Sequence, residues 1–167
     1  MRLYWHPFSL IPWRVRIALH EKRATYEEVK VDVYTSPQRS PEFLRLNPFG
    51  QIPVLEDDGL VIAESLAILE YLEERYATPA LMPVDVEARA TARQWMCWST
   101  DYWPPAWKKW IAPRIPGGAW TNESVSEGRR EIAAHLEEVS TRPAVSQWVD
   151  RLRQRPPVQA TMMPRAG

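Results

Sequence analysis

The sequence predicts an α/β domain followed by an all-helical one, and three observations carry this. Short β-favouring runs alternate with helical patterns between Met1 and Tyr76, in the order β-α-β-α-β-β-α. Asp57-Asp58-Gly59 separates Pro53–Glu56 from Leu60–Ile62, which is a hairpin signal closing a small sheet. After the linker-like Thr78-Pro79-Ala80-Leu81-Met82-Pro83, strand signals vanish. The expected domains are residues 1–77 and 84–167.

The elements follow in order. Arg2–Trp5 is a short strand ended by His6-Pro7, and Pro12 suits the first turn of a helix that ends near Lys22. Tyr26–Val33 alternates and reads as a strand. Ser40-Pro41-Glu42 opens a short helix through Leu46, with Ser40 as N-cap. Asn47-Pro48-Phe49-Gly50 is turn chemistry. Glu64–Tyr76 is periodic, with Leu66, Ile68, Leu69 and Leu72 facing a core. In the second half, Asp85 caps a helix from Val86 to about Tyr102. Pro104–Gly118 reads as mostly irregular or as short helical pieces because of its prolines and glycines. Ser124-x-x-Glu127 is a capping box opening a helix to about Val139, and Pro143–Arg153 is a last helix before a tail.

Composition narrows the function. Lys plus Arg and Asp plus Glu are both 21, so net charge is zero and gives no global case for nucleic acid or an anionic membrane. No apolar run is long enough to span a bilayer, and MRLYWHPFSL lacks the apolar core of a signal peptide. The single Cys97 excludes an intrachain disulfide and a cysteine-built metal cluster. A cytoplasmic location without metal is expected. Nine Trp in 167 residues suggest a binding surface or a packed interface.

One stretch, NPFGQIPVLEDDGLVIAES, combines a proline at a strand start with an acidic-hydroxyl pair before a helix. From the residues alone, Pro53 fits an edge strand or a strand start, and Glu64-Ser65 fits a simple helix cap. The ordered set WRVRIALHEK, PEFLRLNPFGQIPVLEDDG and ESLAILEYLEERY resembles the glutathione transferase family, nearest its zeta-like and theta-like bacterial members. The resemblance runs from Met1 to about Tyr76. It implies a thioredoxin-like first domain followed by a helical domain.

The resemblance also implies roles. Pro53 is expected to be cis, so that the backbone of Ile52 pairs with the cysteinyl backbone of glutathione. Glu64 would hold the ammonium of the γ-glutamyl end, and Ser65 with the helix N-terminus its carboxylate. Gln38 and Gln51 fall where similar transferases contact the glycyl end and backbone. Ser9, just before the first helix, is the catalytic candidate, donating a hydrogen bond to the glutathione sulfur. Leu10 and Ile11 stand where the zeta signature has a second serine and a cysteine, which weighs against the zeta-type isomerase reaction. Tyr4 and His6 lie near the same loop.

The expected activity is conjugation of glutathione, as co-substrate, to a small hydrophobic electrophile by a homodimer. The alternatives are a non-catalytic glutathione-binding or protein-interaction module and a glutathione-dependent isomerase or lyase. The helical domain is short for the family. The Trp-rich block from Trp95 to Trp120 either covers the surface left by the missing helix, lines the hydrophobic pocket, or forms a subunit interface.

Overall fold

In a computed structural model, residues 1–32, 40–114 and 120–140 are described, with no account of the side chains of 114 and 138–140. They fall in two compact units, one up to Met96 and one from Cys97. The first contains strands β1 (Arg2–Trp5), β2 (Glu27–Lys30), β3 (Val54–Asp57) and β4 (Leu60–Ala63). Its helices include α1 (Leu10–Glu21), α2 (Pro41–Leu46) and α3 (Ser65–Arg75). Helix α4 (Val86–Asp101) runs from the first unit into the second, which adds α5 (Trp103–Ile111), a short 3-10 turn (Ala112–Arg114) and α6 (Asn122–Ser140). The fold is thioredoxin-like: a mixed sheet of order β2-β1-β3-β4, with β1 parallel to β2 and antiparallel to β3, and β3 antiparallel to β4.

Strand alternation divides the side chains between two faces. Leu3, Trp5 and Leu55 point into a core with Val15, Ala18 and Leu19 of α1 and Ile68 and Leu72 of α3. The opposite face is smaller: Val31 and Val54 pack with Phe43 of α2, flanked by Tyr4, Leu46 and Ile52. The β3–β4 turn has φ +48 at Asp58 and +86 at Gly59, the two positive values a twist-matched two-residue hairpin requires. Leu66, expected in the core, is half-buried instead.

One lysine joins α1 to the segment after α3. The Lys22 side chain is fully buried; its ammonium donates to Glu73 Oε2 at 2.6 Å and to the carbonyls of Tyr76 and Pro79 at 2.6 and 2.8 Å. Glu73 in turn accepts from the N–H groups of Leu81 and Met82. Burial alone would raise the Glu73 pKa, but these bonds outweigh it and hold the carboxyl below its usual range.

In the second unit, α5 and the 3-10 turn follow the short helical pieces that are one of the two readings of Pro104–Gly118, and the start of α6 departs from the expectation. Pro104 and Pro105 do not break the chain. They occupy the first turn of α5, where a missing N–H costs nothing. The box that opens α6 is one turn earlier than Ser124/Glu127. Thr121 Oγ1 accepts from the Ser124 N–H at 3.1 Å, and Ser124 Oγ accepts from the Thr121 N–H at 3.0 Å. Glu127 is instead paired with Lys109. Asp85 caps α4 as expected, its Oδ2 accepting from the Ala88 N–H. The expected helix at Pro143–Arg153 lies outside the described residues.

Candidate functional site

Strand register brings the candidate residues together. Tyr4 of β1 lies opposite Val54 of β3, and Val54 lies opposite Ala63 of β4. The end of β1 leading to Ser9, the start of β3 after Ile52-Pro53, and the end of β4 leading to Glu64-Ser65 therefore meet at one end of the sheet. Two helices, α1 and α3, begin there. The first turns of both helices carry free N–H groups and partial positive charge, and Ile52 precedes the β3 ladder.

Ser9 is the N-cap of α1, with extended backbone, yet its side chain makes no capping bond. Its N–H donates to the His6 carbonyl at 3.1 Å, which fixes the turn after β1. The Ser9 hydroxyl is thus not spent on the helix it precedes. The Ile52–Pro53 peptide is cis, as the resemblance implies.

Glu64 is exposed and sits at φ +70, ψ +114, capping α3 without a side-chain bond to it. A residue with a Cβ pays to be there, and such strain concentrates at functional positions. Ser65, the first residue of α3, is buried at 3% exposure. Gln51 is exposed. Gln38 lies outside the described residues.

The neighbours separate the alternatives to Ser9. The Tyr4 hydroxyl donates to Glu56 Oε2 at 3.0 Å, and burial together with that carboxylate raises its pKa, so it stays a committed neutral phenol. His6 Nδ1 accepts from the Phe8 N–H at 3.2 Å, which places the proton of a neutral ring on Nε2. Burial lowers the His6 pKa, against an opposing pull from Asp32, and so favours that neutral form. A cavity of about 250 Å³ on the α2 side is lined by Tyr4, Val29, Val31, Phe43 and Leu46, with Lys30 and Glu42 among its polar residues; of the described residues, Ser9, Gln51, Ile52, Pro53, Glu64 and Ser65 do not line it.

Sequence reasoning missed one organising residue here. Asn47 reads as turn chemistry, but it is buried at 1% exposure and bonds to Phe49 and Gln51. The signal was an Asn followed by Pro-Phe-Gly, where the side chain can reach the next turn. Among the described residues, no group of three or more His, Cys, Asp or Glu could hold a metal. Among them, too, no helix is long and apolar enough to cross a membrane.

Residues 1–74 match the family model for the glutathione S-transferase N-terminal domain. The chain is 48% identical over 90 residues to glutathione S-transferase 1 of Dianthus caryophyllus, covering 54% of this chain and 41% of the relative. It is 47% identical over 93 residues to maleylacetoacetate isomerase of Rattus norvegicus, covering 54% and 43%. These matches thus span less than half the length of either relative.

Among solved structures, a glutathione S-transferase from Rhodospirillum rubrum superposes with a TM-score of 0.81 at 27% identity, over 99% of this chain and 93% of that one. A glutathione transferase homologue from Sulfitobacter, solved with bound glutathione, gives 0.75 at 22% identity over 95% of both chains. The second likeness shows the fold alone.

Proposed function

Residues 1–74 belong to the glutathione S-transferase N-terminal domain family, and from that premise we propose that the chain binds glutathione at the shared end of the sheet and transfers its thiolate to a small hydrophobic electrophile. The observation that carries this is the convergence of Ser9, cis Ile52-Pro53 and Glu64-Ser65 through the β1–β3–β4 register. Residues 1–77 would supply the glutathione site and residues 84–167 the helical domain.

In this reading the cysteinyl backbone of glutathione pairs with the N–H and C=O of Ile52. The α3 N-terminus and the Ser65 hydroxyl take the γ-glutamyl carboxylate, and Glu64 takes the ammonium. Gln51 and Gln38 serve the glycyl end and backbone. The Ser9 hydroxyl donates to the sulfur. A thiol titrates near 8.5, and a hydrogen bond to a charged group stabilises it by about 1.5–3 kcal/mol. A helix N-terminus adds about 0.3–1 kcal/mol. Together they lower the bound thiol by about 1–3 pKa units, which makes the nucleophilic thiolate the main form near neutral pH. Ser9 itself forms no covalent bond.

A second reading, glutathione-dependent isomerisation, is favoured by the likeness to maleylacetoacetate isomerases. Leu10 and Ile11 at the zeta signature weigh against it. The reading as a binding module without activity is disfavoured by the Ser9 side chain, which a module would have no reason to leave out of its helix cap.

The test combines calorimetry with glutathione and conjugation of a small aromatic electrophile. Ser9→Ala should shift the pH–rate curve upward by about 1–2 units while affinity at high pH holds. A variant curve with the wild-type midpoint would remove Ser9 from the role. Ser65→Ala should weaken binding by about 1–3 kcal/mol, the loss of one bond to a charged group. Pairing with a second copy is also proposed, from the number of Trp in so small a chain; sedimentation showing only a 19.4 kDa species would refute it.

A further inference from the structure

The loop between α2 and β3 begins at a buried polar residue whose four polar atoms are all engaged. The Asn47 N–H donates to the Phe43 carbonyl and closes α2, while its own carbonyl accepts from the Gly50 N–H, each at 2.9 Å. Its Oδ1 accepts from the Phe49 N–H at 3.1 Å, and its Nδ2 donates to the Gln51 carbonyl at 2.8 Å. Gly50, at φ +61, supplies the left-handed step that folds the loop back on the asparagine.

The bond to Gln51 acts one atom pair further on. The Gln51–Ile52 peptide is planar and, unlike the one after it, trans, so its C=O and N–H point in opposite directions. Drawing the Gln51 carbonyl toward a residue that is 1% exposed turns the Ile52 N–H away from the interior. We infer that Asn47 is a positioning residue for glutathione, fixing the direction of the Ile52 N–H that meets the cysteinyl backbone. This rests on the placement of glutathione proposed above. The side-chain requirement is narrow: the residue must accept from Phe49 and donate to Gln51 at once, which an amide can do and a carboxylate or hydroxymethyl group at this length cannot.

The experiment compares the wild-type protein with Asn47→Asp, which keeps the acceptor for Phe49 and the volume but removes the donor to Gln51. The Michaelis constant for glutathione should rise about tenfold, the size expected when one partly buried hydrogen bond is lost, with the loss falling on KM rather than on kcat. Asn47→Ser, which can still accept from Phe49 but lacks the reach to Gln51, should behave alike and serves if the Asp variant does not fold. Circular dichroism at the assay temperature verifies that each variant is folded. A folded variant with wild-type KM, or one in which kcat alone falls, overturns the inference. Calorimetry on the wild-type protein separates the two proposals: no glutathione binding sinks the placement itself, before any Asn47 variant is considered.

Discussion

The two units hold themselves together differently. In the first, Leu3, Val15, Leu19, Leu55, Ile68 and Leu72 are each 0% exposed, so aliphatic side chains from two strands and two helices close around one another. In the second, the fully enclosed described side chains are small or few: Ala106 at 0% and Ile111 at 5%. Its described tryptophans are mostly half-buried, and Trp120 is exposed.

Aromatic rings do much of the joining in the second unit. Trp98 lies 5.9 Å from Tyr102 and 5.6 Å from His135, and Trp103 lies 6.0 Å from His135. Trp107 and Trp110 meet at 4.8 Å, as their spacing on one helix face predicts. The Nδ1 atom of His135 is buried among these rings without a hydrogen-bond partner. Large rings rarely vanish wholly from solvent, but they cover wide areas with few residues. The contrast teaches that a positioned site needs a closed aliphatic frame under it, whereas the helical unit is joined by contacts that tolerate adjustment.

The sharpest break of this contrast is Lys22→Met. Removing one member of a buried ion pair costs about 3–5 kcal/mol, since Glu73 keeps its charge with only backbone donors left. Urea unfolding of the first unit should show it. Lys22→Met with Glu73→Gln should recover part of the loss; no recovery would mean that packing of the lysine stem, not the pair, matters.

Acid titration asks the same question without a mutation. The Glu73 carboxyl is held below its ordinary value in the fold, so its stabilisation is present above the unfolded-state pKa and is lost as pH falls through the folded one. The unfolding midpoint should drop as pH falls below the ordinary carboxylate range, and Lys22→Met should flatten that slope. An equal slope in both proteins would assign the acid sensitivity to other carboxylates.

In the second unit the vulnerable point is backbone approach. A Cβ on Gly128 of α6 would lie 2.8 Å from Lys109 Cβ and 2.9 Å from both the Ala106 carbonyl oxygen and the Trp110 nitrogen. Two of these are backbone atoms of α5, so the helices must part. Gly128→Ala should cost about 1–2 kcal/mol, overpacking being partly offset by better helix propensity. A gain in thermal midpoint would show that the helices slide apart freely.

The smallest effect is expected from Ile111→Val, roughly 0.5–1.5 kcal/mol, against about 2–5 kcal/mol for Leu55→Ala in the first core. Equal losses per methylene would erase the distinction between the two units.

Much of the first unit was legible because local chemistry and fold agree there. Asp58-Gly59 could only be a tight hairpin, and Ser40-Pro41 could hardly be anything but a helix start; Ser40 Oγ does accept from the Phe43 N–H. The residues that meet at the sheet's end were legible only as an ordered set, since register between distant strands leaves no local mark. Three features were illegible for physical reasons. Lys22 at a helix end reads as a solvated cation, and only the carbonyls of Tyr76 and Pro79 make its burial tolerable. Pro104-Pro105 reads as a break unless the helix start is known to the residue. Thr121 outcompetes Ser124 as the cap because both hydroxyls then bond reciprocally.

The left-handed backbone of Glu64 sets two kinds of selection against each other. Glycine takes φ +70 without penalty, and asparagine takes it more easily than glutamate. Directed evolution for heat tolerance alone would therefore replace Glu64 and gain stability by relaxing it. The same replacement discards the carboxylate proposed to hold the tripeptide's ammonium. A library screened by melting point would drift toward proteins that are sturdier and emptier, so this position calls for screening on ligand retention first.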